Sequence, residues 1–375
     1  MVLVLAVAMV ASDFVRHPFA GAPIGDAASS SRELTVWTAG TDAGRTPARV
    51  ARLLAQRLDA TGARASAETV AGGASTALLA LLGPDAPDGA LVVVHAGTFA
   101  DLAVQRGDVG IPGAPAEAER ALRLLDAATP IALLADDTLL VAADRRGAVA
   151  TPAALLASLR RAPRRVVFGI GADAWSKNAL ATLVESAGAA GRVPYRVLPT
   201  AGDAGIALSG EEIDVVLAPA SELRGGALRR RLLPLLQSDR GPRLAGDGGV
   251  HAPRRPGVRI AAGSAAPPAT FGALLGGSTP LRGAHRWIAI VAPPSLPGAA
   301  RAAAVARVRA VTAAPAWRRL LRRQGLDPNP PGTAAEALRA SRRETAALLR
   351  AATRIDEAPA PRRSAARTTA PRRSK

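Results

Sequence analysis

The sequence predicts an α/β protein of two domains, and three observations carry that expectation. Strand-like and helix-like segments alternate from Leu34 onward, the pattern of sheets with helices packed on them. The chain has 375 residues, enough for two ordinary α/β domains with well-buried cores. A helical block follows the last strand, and a terminal block of this kind packs back on the first domain, which would then be discontinuous.

Glycine and serine from Gly21 to Ser31 mark a linker into the folded part. A strand over Leu34–Thr38 precedes a helix that Thr46 caps, with Pro47 in its first turn and Val50, Leu53, Leu54 and Leu58 on one apolar stripe. A second helix holds Leu78, Leu79, Leu81 and Leu82, and Pro87-Asp88-Gly89 turns the chain into a strand over Leu91–His95. Further strands are expected at Ile131–Ala135, Thr138–Ala142, Val166–Phe168, Tyr195–Leu198 and Asp214–Leu217, in parallel sheets. Helices between them include Pro152–Leu159, capped by Thr151, and Ser176–Ala187. Gly241 to Pro280 is rich in Gly and Pro and has little periodicity. A strand over Trp287–Ala292 then leads to three helices: Pro297–Ala313, Trp317–Gln324 ended by Gly325, and one opened by Thr333 and Glu336 at capping-box spacing.

Composition narrows the chemistry. With no cysteine there is no disulfide, thiolate zinc site or Cys nucleophile, and the four histidines (His17, His95, His251, His285) lack ligand spacing. No metal and no cofactor are expected. The net charge of +18 is partly a tail effect: Ala358 to Lys375 carries six basic residues and no acid on a Pro/Ala/Ser/Thr-rich stretch that cannot build a core. No basic run is interleaved with aromatics, so a nucleic-acid partner is not expected. The apolar run Met1–Ala11 is too short to span a bilayer and reads as a secretory h-region, with small-residue sites such as Ala20-Gly21-Ala22 downstream. It lacks a basic n-region, so an upstream start or an ordinary buried segment stays open beside export.

Several segments stand together in a recognisable order. They are Ala51-Arg52-Leu53-Leu54-Ala55, Ala86-Pro87-Asp88-Gly89 before an apolar strand, Val193-Pro194-Tyr195, the strand from Trp287 to Pro293, then Ala314-Pro315-Ala316-Trp317 and Gln324-Gly325. In this order, from about Leu34 to Ala352, the chain resembles the substrate-binding receptors of tripartite tricarboxylate transporters (TctC or Bug-type receptors). The resemblance implies a type II periplasmic-binding-protein fold, two α/β lobes with a ligand cleft between them. The expected boundaries are 1–33 for the signal-like segment and linker, 34–135 plus 281–352 for the first lobe, 136–250 for the second, 251–280 for an irregular connection and 353–375 for a disordered tail. It further implies a monomeric, periplasmic, non-enzymatic receptor that passes a small anionic metabolite to membrane permease subunits.

The expected site follows from anion chemistry at helix starts. The loop Thr38 to Thr46 supplies Thr41, Gly44, Arg45 and Thr46, where glycines admit a ligand to the backbone and a helix N-terminus favours negative charge. Gly97 and Thr98 follow the next strand. Gly169, Gly171, Ser176 and Lys177 make the equivalent loop in the second lobe, with Ser176 at the family's serine and Lys177 in place of its histidine. The acidic residue near the family's first helix start aligns with Ala48, and Arg45 replaces a glycine. Arg45 is either a carboxylate ligand or a solvated loop charge. Asp136-Asp137 and Ser209 to Glu212 read as turns or solvated helix ends.

Three other readings compete. Val166 to Ala174 matches a strand followed by G-x-G-x-x-A, a dinucleotide turn, but the acid expected some way on is absent and Arg192 or Arg196 would have to meet a 2′-phosphate of NADP. There is no G-x-S-x-G nucleophile turn and no Walker-type loop. A degenerate receptor repurposed for sensing remains the main alternative in the binding class.

Overall fold

In the computed structural model the strand–helix alternation resolves into two separate sheets, each with helices on both faces. The structure describes residues 33–42, 45–107, 114–171, 174–189, 192–198, 201–223, 231–238, 269–270, 286–328, 333–351 and 355–357, all within one compact unit, Arg32–Lys375. The expected signal segment, the linker, nearly all of the Gly/Pro-rich stretch and the tail beyond Glu357 lie outside them.

The first sheet holds β1 (Leu34–Ala39), β2 (Ala65–Val70), β3 (Ala90–His95), β4 (Thr129–Asp137) and β11 (Arg286–Ala292), in the order β2-β1-β3-β11-β4. The second holds β5 (Leu139–Asp144), β6 (Phe168–Gly171), β7 (Val193–Leu198), β8 (Val215–Pro219), β9 (Leu232–Gln237), β10 (Ala269–Thr270) and β12 (Ile355–Glu357), in the order β10-β9-β5-β8-β6-β7-β12. Both sheets are mixed rather than wholly parallel. β11 runs antiparallel to β3 and β4, and β5 antiparallel to β8 and β9. β4 passes into β5 through Thr138 alone, with no crossover helix to reverse direction. β4 itself extends to Asp137, so the change of sheet falls at Thr138.

On one face of the first sheet, α1 (Thr46–Asp59), α8 (Gly298–Ala313) and α9 (Pro315–Gln324) bury Leu54, Leu58, Val308 and Trp317 against Val36, Leu91 and Ile290. α2 (Ala74–Leu82), α3 (Ala96–Gly107), α4 (Ala114–Ala127) and α10 (Ala334–Ala351) cover the other face. In the second sheet, period-two alternation divides β5. Leu139, Val141 and Ala143 join the core under α5 (Pro152–Arg161) and α6 (Ala174–Ser186), while Leu140 and Ala142 face α7 (Ala201–Ser209). One apolar cluster is continuous between the two sheets: Val94, Ala96 and Phe99 pack in the same core as Trp175, Ala179, Trp287 and Leu338. Phe99 and Trp287 meet edge to face at 6.0 Å, and Trp287 Nε1 donates to Ser341 Oγ of α10 at 2.9 Å.

Local chemistry explains the ends of several elements. Thr151 Oγ1 accepts from Ala154 N, and the Thr333–Glu336 capping box forms in both directions. Gly325 closes α9 in the left-handed region. β6 starts at Phe168 rather than Val166 because Asp214 Oδ2 takes the Val167 N–H at 2.8 Å. The tail boundary expected at residue 353 is corrected by Ile355–Glu357, which pairs in parallel with Val193–Tyr195. Three residues there are enough to complete the open edge of β7. Among the described residues no helix is long and apolar enough to cross a membrane.

Candidate functional site

In open α/β sheets, ligand sites lie beyond the carboxyl ends of parallel strands. Here those ends, from β1 and β3 of one sheet and from β6 and β8 of the other, meet at a seam between the lobes.

On the first-lobe side, β1 ends at Ala39 and a short 3-10 turn, Gly40–Asp42, follows. A Cβ on Gly40 would lie 2.9 Å from Val70 O and Gly72 N, so this close approach of backbones requires glycine. Asp42 is buried and its Oδ1 lies 2.9 Å from His95 Nε2. His95 Nδ1 accepts the Gly97 N–H at 3.0 Å, which leaves Nε2 as the nitrogen that donates to Asp42. The His95 N–H donates to Thr98 Oγ1 at 3.1 Å. Thr98 is thereby committed to the start of α3, and Gly97 and Thr98 belong to that helix rather than to a loop.

On the second-lobe side, β6 leads to α6, where Trp175, Ser176 and Asn178 are buried. The first turns of α3 and α6 touch: a Cβ on Gly97 would sit 3.6 Å from Trp175 Cβ. The Arg286 guanidinium lies 5.4 Å from the Trp175 ring centroid and donates to Glu222 Oε1 at 2.9 Å. Within this seam Trp175 Nε1 and Asn178 Nδ2 are buried donors with no acceptor among the described residues.

Between the two sides runs a polar chain. Asp137 Oδ2 accepts the Ser221 hydroxyl at 2.5 Å, and Oδ1 accepts the Ser221 N–H at 3.2 Å. Ser221 Oγ lies 2.7 Å from Thr46 Oγ1, which accepts from Arg49 at 3.1 Å. Arg49 can only donate, and a carboxylate can only accept, so with Asp137 ionised the donation runs from Arg49 through Thr46 and Ser221 to Asp137. The chain joins α1 of one lobe to the turn after β8 of the other. Burial pushes the Asp137 carboxyl up to about 7, against the pull of Arg286 and the Ser221 hydroxyl, and Glu222 adds to the rise.

The ten expected site residues fall into distinct groups. Gly44 and the Thr41 side chain lie outside the described residues. Arg45 is the half-buried N-cap residue of α1 and makes no side-chain cap. Thr46, expected to cap this helix, is instead its first residue, and its buried hydroxyl is turned to Ser221. Gly97 reaches the seam against Trp175, and Ser176 is fully buried beside it. Lys177 reaches toward β7, with Nζ 5.8 Å from the Tyr195 ring centroid. Gly169 is a strand residue whose added Cβ would lie 2.5 Å from Ile213 and Leu198 side chains, a packing position, and Gly171 ends the same strand. Both glycines of the dinucleotide-like motif thus belong to β6, not to a phosphate-binding turn.

Sequence reasoning passed over Asp137, Trp175, Asn178, Ser221, Glu222 and Arg286. Asp136 and Asp137, read as a turn or solvated helix end, are the buried last residues of β4. Their signal was available in retrospect, because two acids directly follow an apolar strand with no turn residue before the next one. Among the described residues no group of three His, Cys, Asp or Glu could hold a metal ion.

No protein-family model matches the chain, and no curated protein matches it by sequence. Solved structures do. Rpa4515 of Rhodopseudomonas palustris with adipate aligns over 86% of this chain and 97% of its own, at TM-score 0.60 and 15% identity. MatC (Rpa3494) from the same organism, with bound malate, aligns over 85% and 99% at TM-score 0.58 and 16% identity. The periplasmic binding protein BugD aligns over 88% and 100% at TM-score 0.59 and 16% identity. The chain therefore has the two-lobed α/β fold that these solved structures share.

Proposed function

We propose that the protein is an extracytoplasmic receptor of the Bug type that binds a small carboxylate in the seam between its lobes and does no chemistry on it. The observation that carries this reading is a pair of buried donors without acceptors among the described residues, Trp175 Nε1 and Asn178 Nδ2, in the first two turns of α6. Leaving such donors unmet costs about 1–3 kcal/mol each. A carboxylate satisfies both and also gains from the α6 N-terminus. The malate and adipate held by the similarly folded MatC and Rpa4515 support the same ligand class.

In this reading the two sheets are the two lobes, divided at Thr138, and they open about that crossing. Opening separates Thr46 from Ser221 and α3 from α6, and ligand capture restores those contacts. Arg45, Thr46, Gly97 and Ser176 border the ligand. A membrane permease of the tripartite tricarboxylate type receives the closed, monomeric receptor in the periplasm. A thermal-shift screen of mono-, di- and tricarboxylates tests the proposal. A binder at about a hundredfold excess over its Kd adds about 2.7 kcal/mol of stability. A shift with NADP and none with any carboxylate would favour an enzyme and sink the receptor reading.

A further inference from the structure

The helices on the two faces of the first sheet differ in charge. α2, α3, α4 and α10 together carry seven arginines and six acids, and Arg106, Arg123 and Arg342 pair with Glu119 or Asp126. α1, α8 and α9 carry ten arginines and one acid, Asp59, whose carboxylate takes the Ala65 N–H. Local chemistry accounts for part of this excess. Arg49 donates to Thr46, Arg301 to the Pro294 and Leu296 carbonyls, and Arg318 to the Ala313 carbonyl at the end of α8. Arg52, Arg309, Arg319 and Arg323 are exposed and have no ion-pair partner among the described residues. Arg319 and Arg323 stand four residues apart on α9, a like-charge spacing that opposes the helix. A one-sided surplus of this kind is relieved by a partner that brings negative charge.

The kind of partner follows from what lies between the arginines. Trp317, the one aromatic in these three helices, is buried, so no ring is offered to a nucleic-acid base. Apart from Thr312 and Gln324, the uncharged residues of α8 and α9 are Gly, Ala, Val, Leu, Pro and Trp, which cannot read base edges by hydrogen bonds. Among the described residues the exposed large apolar side chains are Val104 and Ile206, and neither is on this face, so nothing here is set to insert into a bilayer core. The core beneath the three helices contains no residue of the second sheet, which leaves the face clear of the other lobe except where Thr46 meets Ser221. Arginines spread over such a face suit a continuous plane of phosphates, which each guanidinium can grip with two N–H groups. We propose that the α1, α8 and α9 face docks the protein on an anionic lipid bilayer, through headgroup phosphates and without insertion. Such docking goes beyond the receptor reading and holds whether or not the seam takes a carboxylate.

Co-sedimentation of the full chain with lipid vesicles tests it. Vesicles of phosphatidylcholine and phosphatidylglycerol in equal parts should bind the protein, and vesicles of phosphatidylcholine alone should not. Binding should fall steeply between about 0.05 M and about 0.5 M salt as screening shortens the reach of each charge. An arginine held at an anionic surface is worth about fivefold in affinity, so Arg319→Glu with Arg323→Glu should weaken binding at least about tenfold. Two other pairs make the same change in net charge elsewhere: Arg161→Glu with Arg164→Glu at the exposed end of α5, and Arg362→Glu with Arg363→Glu in the tail. Each should weaken binding by about twofold or less, because charges beyond the screening length contribute little. Should the α9 glutamate pair fail to fold, Arg319→Gln with Arg323→Gln should give a smaller loss in the same direction. Equal loss from all three glutamate pairs, or loss confined to the tail pair, would overturn the assigned face. Binding to a DNA duplex with none to the anionic vesicles would overturn the lipid partner. A carboxylate screen without a hit would sink the receptor reading and leave the vesicle result standing.

Discussion

Asp137 should make this protein less stable as pH rises through the neutral range, the reverse of what most carboxylates do. Its carboxyl is pushed from 3.8 to about 7, chiefly by burial. The folded state therefore holds a proton that the unfolded chain has already released. The contribution is fully present below about pH 4, is lost as pH climbs through about 7, and is flat above that. The whole gap corresponds to on the order of 4 kcal/mol, and about 3 kcal/mol of it falls between about pH 5 and about pH 8. Urea unfolding of wild type and Asp137→Asn across that range isolates this residue, because every other group cancels in the difference. Asn cannot ionise and can still hydrogen-bond to Ser221, so the variant should gain on wild type steadily as pH rises and exceed it at about pH 8. A difference that stays constant with pH, or that moves in favour of wild type on alkalinisation, would refute the reasoning.

Three further outcomes follow from named contacts. Ser221→Ala removes both the hydroxyl that lowers Asp137 and the link to Thr46; it should cost about 1–3 kcal/mol and move the Asp137 titration higher, read from the same urea curves. Gly89→Ala should destabilise by about 2 kcal/mol or more in thermal melts, since Gly89 sits at φ +73 and its Cβ would lie 2.2 Å from Glu33 O. At Asp144, burial acts to raise the pKa, but the Arg146 N–H and the Arg231 guanidinium, at 2.5 Å, outweigh it and hold the pKa below the usual range. Arg231→Ala should therefore release that pKa upward and cost about 1–3 kcal/mol near neutral pH, with the loss shrinking as pH falls through the Asp144 titration.

What the sequence made legible was periodic. Val50, Leu54 and Leu58 announce α1, and the apolar run into His95 announces β3, because burial on one face imposes a repeat. β2 escaped notice because Ala65–Val70 is an edge strand of small and polar residues, half-buried or exposed throughout. α3 was missed because it starts at Ala96 with no turn after β3; the His95 ring and the Thr98 hydroxyl take the place of a loop. Of the expected site residues, Thr46, Gly97 and Ser176 lie at the seam, each near the start of a helix that follows a strand. The site was illegible at Asp137, Ser221 and Arg286, which come from three distant stretches of chain and acquire chemical meaning only when the two sheets meet. Gly169 shows the opposite error: a glycine that looks like a ligand turn is there to admit Ile213 and Leu198.

The central claim, that the seam holds a carboxylate on donors that no described residue meets, can be read at one proton. The chain has four tryptophans, so one 15N–1H spectrum resolves four indole N–H signals, and Trp175→Phe identifies the one that matters. Titration with the carboxylate that most stabilises the protein should move the Trp175 indole proton strongly downfield as it gains an acceptor. The Trp287 indole, already bonded to Ser341, should stay close to its starting position. A stabilising carboxylate that leaves the Trp175 signal in place would contradict the account.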